Sequence, residues 1–224
     1  MSDHQFGFRT LALHAGGTPD AVHGARAVPI YQSTSFVFQD SADAANLFAL
    51  QKYGNIYSRI GNPTVASFEE RIAALEGGIG AVATASGMAA EFITFAALTR
   101  AGDHIVASST IYGGTYNLFH YTFPKLGIEV SFVEDPDDVA SWLAAVQPNT
   151  AAFFAETVAN PRTDVLDVES VASAAHEVGV PLVVDNTLAT PANFRPLQHG
   201  ADIVVLALPR LTKAVPSPLV AKAP

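Results

Sequence analysis

From residue 64 onward, apolar and polar positions follow two alternating rhythms. Thr64 to Gly77 carries Val65, Phe68, Ile72 and Leu75 on one face at helical spacing. A threonine opens that stretch as a candidate cap and a glycine closes it, so it predicts a helix. A short run of small apolar residues at 80–84 predicts a strand, followed by a small-residue turn and a helix over 87–100. The same order then repeats. Strands are predicted at 104–108, 128–133, 150–155, 181–184 and 201–205, the last extending as far as 208. Helices are predicted between them at about 115–126, 137–146 and 168–178. Short, continuously apolar strands alternating with helices predict an α/β fold with a mostly parallel sheet flanked by helices.

The two ends break this rhythm. Residues 1–60 lack sustained periodicity; 16–20 is a Gly-Gly-Thr-Pro-Asp turn cluster, and 27–31 is extended around Pro29. Phe36, Val37, Phe38, Leu47 and Phe48 are too apolar for a solvated leader. The segment therefore reads as an ordered arm that drapes over another surface, often that of a partner subunit. Residues 209–224 hold four of the chain's 14 prolines and no periodicity, and are expected to be irregular. The expected organisation is an arm over 1–60, an α/β domain over 61–208 and a tail over 209–224.

Composition narrows the function classes. With 224 residues, 49% hydrophobic, the chain can bury a substantial core. Its net charge of −9 argues against nonspecific nucleic-acid binding, which needs clustered basic charge. There is no cysteine, which excludes disulfides and thiolate metal sites and fits a reducing compartment. No apolar run reaches the ~18 residues of a membrane span, and residues 1–8 lack a basic-then-apolar leader pattern. A cytoplasmic protein with no membrane partner is expected.

In parallel sheets, ligands bind beyond the carboxyl ends of the strands. Here the strands end in Thr84-Ala-Ser86, in Glu156 and in Asp185-Asn-Thr187, so polar groups gather at one rim. Ser86-Gly87-Met88 lies between a strand and a helix, where free backbone N–H groups and the helix dipole favour an anion such as phosphate. The same spacing also suits a plain tight turn. Asp185 follows a run of apolar residues and emerges from the core. Its carboxylate suits a protonated pyridine nitrogen, and equally a helix cap or an ion pair. Tyr57 and Arg59 offer a hydroxyl and a bidentate guanidinium to a phosphate, or form an ordinary surface loop. Tyr112, before two glycines, could stack on a planar ring or simply open a turn.

Taken together, these segments resemble the Cys/Met-metabolism family of pyridoxal-phosphate (PLP) enzymes of fold type I, and within it the O-acetylhomoserine sulfhydrylase branch. Leu13-His-Ala-Gly-Gly17, Gly24 to Ser35, Gly54 to Thr64, Tyr112 to Phe119 and Asp185-Asn-Thr-Leu-Ala-Thr-Pro191 carry the likeness, which spans about residues 6–205. The resemblance implies the large PLP-binding domain of a transferase that replaces the acetate of O-acetylhomoserine with sulfide or a thiol. Other γ-replacement and elimination reactions of the family remain open. It implies that Ser86, Gly87 and Met88 hold the cofactor phosphate, Asn160 the ring hydroxyl and Asp185 the pyridinium, with Thr187 beside it. Tyr112 would stack on the ring and assist the leaving group. Tyr57 and Arg59 would reach the phosphate of a neighbouring copy in a homodimer or tetramer.

The likeness stops before the family's anchoring lysine. Its Ser-x-Thr-Lys motif would occupy 207–210, where this chain has Ala207-Leu-Pro-Arg210. An arginine cannot substitute, because its guanidinium stays protonated. The lysines are Lys52, Lys125, Lys213 and Lys222, and only Lys213, in Leu-Thr-Lys, echoes the motif, out of register. The abrupt change suggests a shift of reading frame or an early stop after residue 205. A truncated and catalytically inactive form of the domain is therefore the alternative expectation.

Overall fold

The computed structural model describes residues 6–208 and 217–222. The chain divides into two compact units, Met1–Arg71 and Ile72–Pro224. The boundary falls inside a helix rather than ahead of it at residue 60.

The first unit is less irregular than expected. It contains helix α1 (Phe8–His14), helix α2 (Ser41–Phe48) and most of helix α3 (Pro63–Glu76). Asp40 starts α2 by accepting a hydrogen bond from the Asp43 amide at 2.7 Å. α1 and α2 are about two turns each, too short to establish a period in sequence. The start of α3 corrects the expected threonine cap. Asn62 Oδ1 accepts from the Thr64 amide at 2.9 Å, while the Thr64 hydroxyl donates to the Pro29 carbonyl and accepts from the Tyr31 amide. Thr64 thus ties the extended stretch around Pro29 to the helix. Gly16 turns the chain with φ of +65°, and a β-carbon there would collide with the Ser67 carbonyl. Beside it, Arg71 Nε donates to the Ala15 carbonyl at 2.8 Å.

The second unit is built on a seven-stranded sheet: β1 (Gly80–Thr84), β2 (His104–Ser108), β3 (Glu129–Val133), β4 (Thr150–Glu156), β5 (Leu182–Asp185), β6 (Ile203–Val205) and β7 (Ser217–Ala221). Their spatial order is β1-β7-β6-β5-β4-β2-β3. Strands β6, β5, β4, β2 and β3 pair in parallel, while β7 runs antiparallel between β1 and β6. The crossovers use α4 (Gly87–Leu98), α5 (Gly113–Asn117), α6 (Val139–Ala144), α7 (Val168–Glu177) and the single turn α8 (Thr190–Asn193).

Neighbouring residues on one strand serve opposite faces of the sheet, which is why the strands are apolar without alternation. Phe153, Leu182 and Val184 face one core with Trp142 of α6 and Val171, Ala172 and Ala175 of α7. Phe154 and Val183 face the other, with Phe95 of α4 and with Phe119 and Phe123. Phe95 meets Phe119 edge-on at 5.0 Å and Phe154 at 5.7 Å, the arrangement aromatic quadrupoles favour.

Three further expectations are corrected. The helix predicted over about 115–126 is broken into α5, a π turn at Leu118–Thr122 and a 3-10 turn at Phe123–Leu126. Pro124 has no amide hydrogen to continue an α-helical ladder, and Gly127, with φ of +77°, ends the segment. The tail is not irregular throughout. Ser217–Ala221 forms β7, with Val220 fully buried between the flanking strands. Gly78 makes room for it, since a β-carbon there would strike Val220. The last parallel strand ends at Val205 and does not continue to 208.

Burial of Val220 in a paired central strand has a direct consequence. Val220→Asp should lower the urea midpoint sharply, because it places a carboxylate in the sheet core, at a cost of several kcal/mol. An unchanged midpoint would show that β7 is not part of the folded sheet.

Candidate functional site

Strand register assembles the site. Glu156 of β4 stands beside Asp185 of β5, and Asp185 beside Val205 of β6, so three parallel strands end on one line. Above that line lies a cavity of about 270 Å³. Its walls include Ser86, Gly87 and Met88, Glu91 of α4, Tyr112, Glu156, Asn160, Asp185, Thr187 and Ala207. Sequence reasoning named most of these as site residues, and the fold brings them together.

The first wall is the amino end of α4. Ser86 caps it, its hydroxyl accepting from the Ala89 amide at 3.1 Å, and the Ser86 carbonyl takes the Ala90 amide at 3.0 Å. The Gly87 and Met88 amides are the orphan donors of that first turn and have no partner inside the helix. Glycine is required at 87 because a β-carbon would stand 2.5 Å from the Ala207 methyl. Close approach between the helix start and the segment after β6 narrows this end of the cavity.

The second wall is held by Glu156. Its Oε1 accepts from the Tyr112 amide at 2.5 Å and its Oε2 from the Asn160 amide at 2.9 Å. One carboxylate therefore fixes two loops, one carrying an aromatic ring and the other an amide side chain. The Tyr112 ring lies back over Gly114, where a β-carbon would be 2.5 Å from the ring and 3.0 Å from Met88 Sδ. The ring is about half exposed toward the cavity. In the sequence Glu156 was visible only as a strand end. Its position four residues ahead of Asn160 was the available signal for its role.

The floor is Asp185. Its Oδ1 accepts from the Thr187 amide at 2.7 Å, and the Thr187 hydroxyl in turn accepts from the Ala207 amide at 2.7 Å. Thr187 thus joins the ends of β5 and β6. Behind it, buried Asn186 donates to Glu76 Oε1 and to the Phe194 carbonyl, both at 2.9 Å, and accepts from the Thr157 hydroxyl.

Three carboxyl groups face this cavity, each less than a tenth exposed. Burial pushes Glu156 up to about 7, opposed by its two amide donors. Burial pushes Glu91 up to about 9, and the neighbouring Asp185 charge adds to the effect. Burial also raises Asp185, opposed by its bonds to Thr187 and Glu91. Glu91 was not singled out in the sequence. A lone charge among the apolar residues of 88–98 was the signal that could have found it.

Tyr57 and Arg59 belong to the first unit. There Tyr57 bridges to Ser35, and the Arg59 guanidinium lies over the Tyr57 ring, 5.2 Å from its centre. Lys213 lies outside the described residues, as do Pro209 and Arg210. No lysine or arginine lines the cavity among the described residues.

A parallel sheet with a helix amino terminus, an aromatic ring and a buried carboxylate at its carboxyl rim can hold a phosphate-bearing aromatic cofactor. Residues 9–212 match the model of the Cys/Met metabolism PLP-dependent enzyme family. The chain belongs to that family. It is 57% identical over 204 residues to the O-acetyl-L-homoserine sulfhydrylase of Corynebacterium glutamicum, covering 91% of this chain and 47% of that one. It is 52% identical over 200 residues to a homocysteine synthase of Schizosaccharomyces pombe, covering 88% and 46%. A crystal structure of a putative O-acetylhomoserine (thiol)-lyase from Campylobacter jejuni superposes with a TM-score of 0.94 at 37% identity, covering 98% of this chain and 55% of that one. That protein carries a pyridoxyl group on a lysine. The chain spans about half the length of the relatives it matches.

The residues present fit the non-covalent demands of PLP. Orphan amides at Gly87 and Met88 suit its phosphate, the Tyr112 ring its face, and Asp185 its ring nitrogen. The covalent demand is not met among the described residues, since Ala207 stands where the lysine motif would begin.

Raised carboxyl values make stability fall with pH. Glu76, fully buried with one oxygen that has no hydrogen-bond partner among the described residues, is pushed up to about 7 by burial. Glu76 and Glu156 stay protonated in the folded chain while the unfolded chain ionises near pH 4.5. Their contribution is complete below about 4.5 and is lost as pH rises through about 7. The urea midpoint is expected to fall between pH 5 and 8, and Glu76→Gln should flatten that slope. An unchanged slope in the variant would contradict the assignment.

Proposed function

We propose that this chain forms the PLP-binding part of an O-acetylhomoserine sulfhydrylase-type site. The observation that carries the reading is the convergence of the α4 amino terminus, Tyr112, Asn160 and Asp185 on one cavity at the sheet's carboxyl rim. Bound PLP supplies an electron sink that acidifies hydrogens near the amino group of an amino-acid substrate. Gly87 and Met88 would hold its phosphate through backbone donors, in line with the α4 dipole. Asp185 would hold the ring nitrogen protonated, and its burial strengthens that pairing. Glu156 would keep Tyr112 over the ring face and Asn160 at the ring edge. In the complete enzyme the reaction would replace the acetate of O-acetylhomoserine with sulfide or a thiol, the chemistry carried in the names of the relatives above. Tyr57 and Arg59 would serve the phosphate of a second copy in a homodimer or tetramer.

A second reading is favoured by Ala207. With that residue against Gly87 and no lysine lining the cavity among the described residues, the chain would bind PLP without covalent capture and would not turn over. Purified protein mixed with PLP, treated with borohydride and mapped by peptide mass, separates the two readings. No stoichiometric labelling is expected. Labelling concentrated on Lys213 would overturn the non-covalent reading and support an active sulfhydrylase.

A further inference from the structure

We propose that Glu91 is the neutral member of a Glu91–Asp185 carboxyl pair, donating its proton to Asp185 and thereby keeping Asp185 ionised for the cofactor's ring nitrogen. The inference rests on the PLP reading above for its purpose, but not for the protonation of the pair itself.

The geometry points to one shared proton. Glu91 lies one turn along α4 from Gly87, with its side chain buried and lining the cavity. Its Oε1 accepts from the Thr115 hydroxyl of α5 at 2.9 Å. Its Oε2 is buried and has no hydrogen-bond partner among the described residues. Asp185 has one oxygen taken by the Thr187 amide, and its buried carboxyl group lines the same cavity as Glu91, where its charge pushes the Glu91 carboxyl up.

An ionised Glu91 would bring a second buried negative charge beside Asp185 with one oxygen unsatisfied, an arrangement costing several kcal/mol. A protonated Glu91 removes the repulsion and supplies a donor. Glu91 is the member that keeps the proton because Asp185 has the Thr187 amide and, on the PLP reading, a pyridinium to stabilise its charge. The other charged group facing the pair is Glu156 of β4, whose burial and like charge push in the same direction. Thr115, Tyr112 and Met88 complete the surroundings. Among the described residues no basic side chain lines the cavity to draw Glu91 into ionising.

Glu91 would thus be a positioning residue, acting on the cofactor through Asp185. It also links the pair to the Tyr112 loop, since Thr115 belongs to the helix that Tyr112 opens.

Infrared difference spectroscopy on the cofactor-free protein reads the proton directly. At pH 7.5 the wild type should show the carbonyl stretch of a protonated carboxylic acid that disappears in Glu91→Gln. Carbon-13 labelling of glutamate, not of aspartate, should shift the band. Loss of the band near pH 9 should follow. A band that shifts with labelled aspartate, or no band removed by the substitution, would overturn the proposal. A second readout is the PLP dissociation constant by equilibrium dialysis. Glu91→Gln keeps a donor and should bind within about threefold of wild type. Glu91→Leu should bind about tenfold more weakly, the weight of one hydrogen bond to a charged group. Equal weakening by both variants would also count against the proposal. If wild type shows the protonated band yet binds no PLP, the pair stands and the cofactor reading fails. If PLP binds and the band is missing, the reverse holds.

Discussion

Everything at the site depends on buried carboxylates at the ends of parallel strands. Parallel pairing brings Glu156 and Asp185 side by side with their backbones already hydrogen-bonded in the ladder. Their side chains then line one cavity. Burying such groups is costly, and the fold offsets the cost with amide donors from Tyr112, Asn160 and Thr187. Those same donors belong to the loops that shape the cavity. Electrostatic compensation and positioning are therefore one set of contacts.

This coupling explains why the site is acidic although a phosphate-bearing cofactor is expected there. Positive potential for the phosphate comes from the amino terminus of α4, with its two orphan amides. Negative charge comes from Asp185 on the same cavity, where a ring nitrogen would be protonated.

Much of the sheet was legible because its strands are buried on both faces and read as continuous apolar runs. Asp185 and Ser86-Gly87-Met88 were legible because polar residues stop those runs abruptly. The Glu91 role was not, because a glutamate inside an apolar helix reads as a local anomaly until Thr115 and Asp185 are folded against it. β7 was missed because Pro218 and the nearby Pro216 argue against a central strand. It takes its place through the company of β1 and β6, which no local pattern encodes. The short helices α1 and α2, and the break after Asn117, were hidden for a related reason. An aspartate cap starts α2 and Pro124 interrupts the ladder after Asn117, and α1 is too short to show a period. The family's anchoring lysine has no counterpart in register in this sequence. Its register position is filled by Ala207-Leu-Pro-Arg210, and Lys213 lies outside the described residues.

The central claim is that Asp185 and the α4 amino terminus together form a PLP-binding cavity. Isothermal titration of the cofactor-free chain with PLP, compared with Asp185→Asn and with pyridoxal lacking the phosphate, tests it most directly. Saturable one-to-one binding that weakens about tenfold or more both in the variant and without the phosphate is the expected result. Binding of equal strength in all three cases would contradict the account.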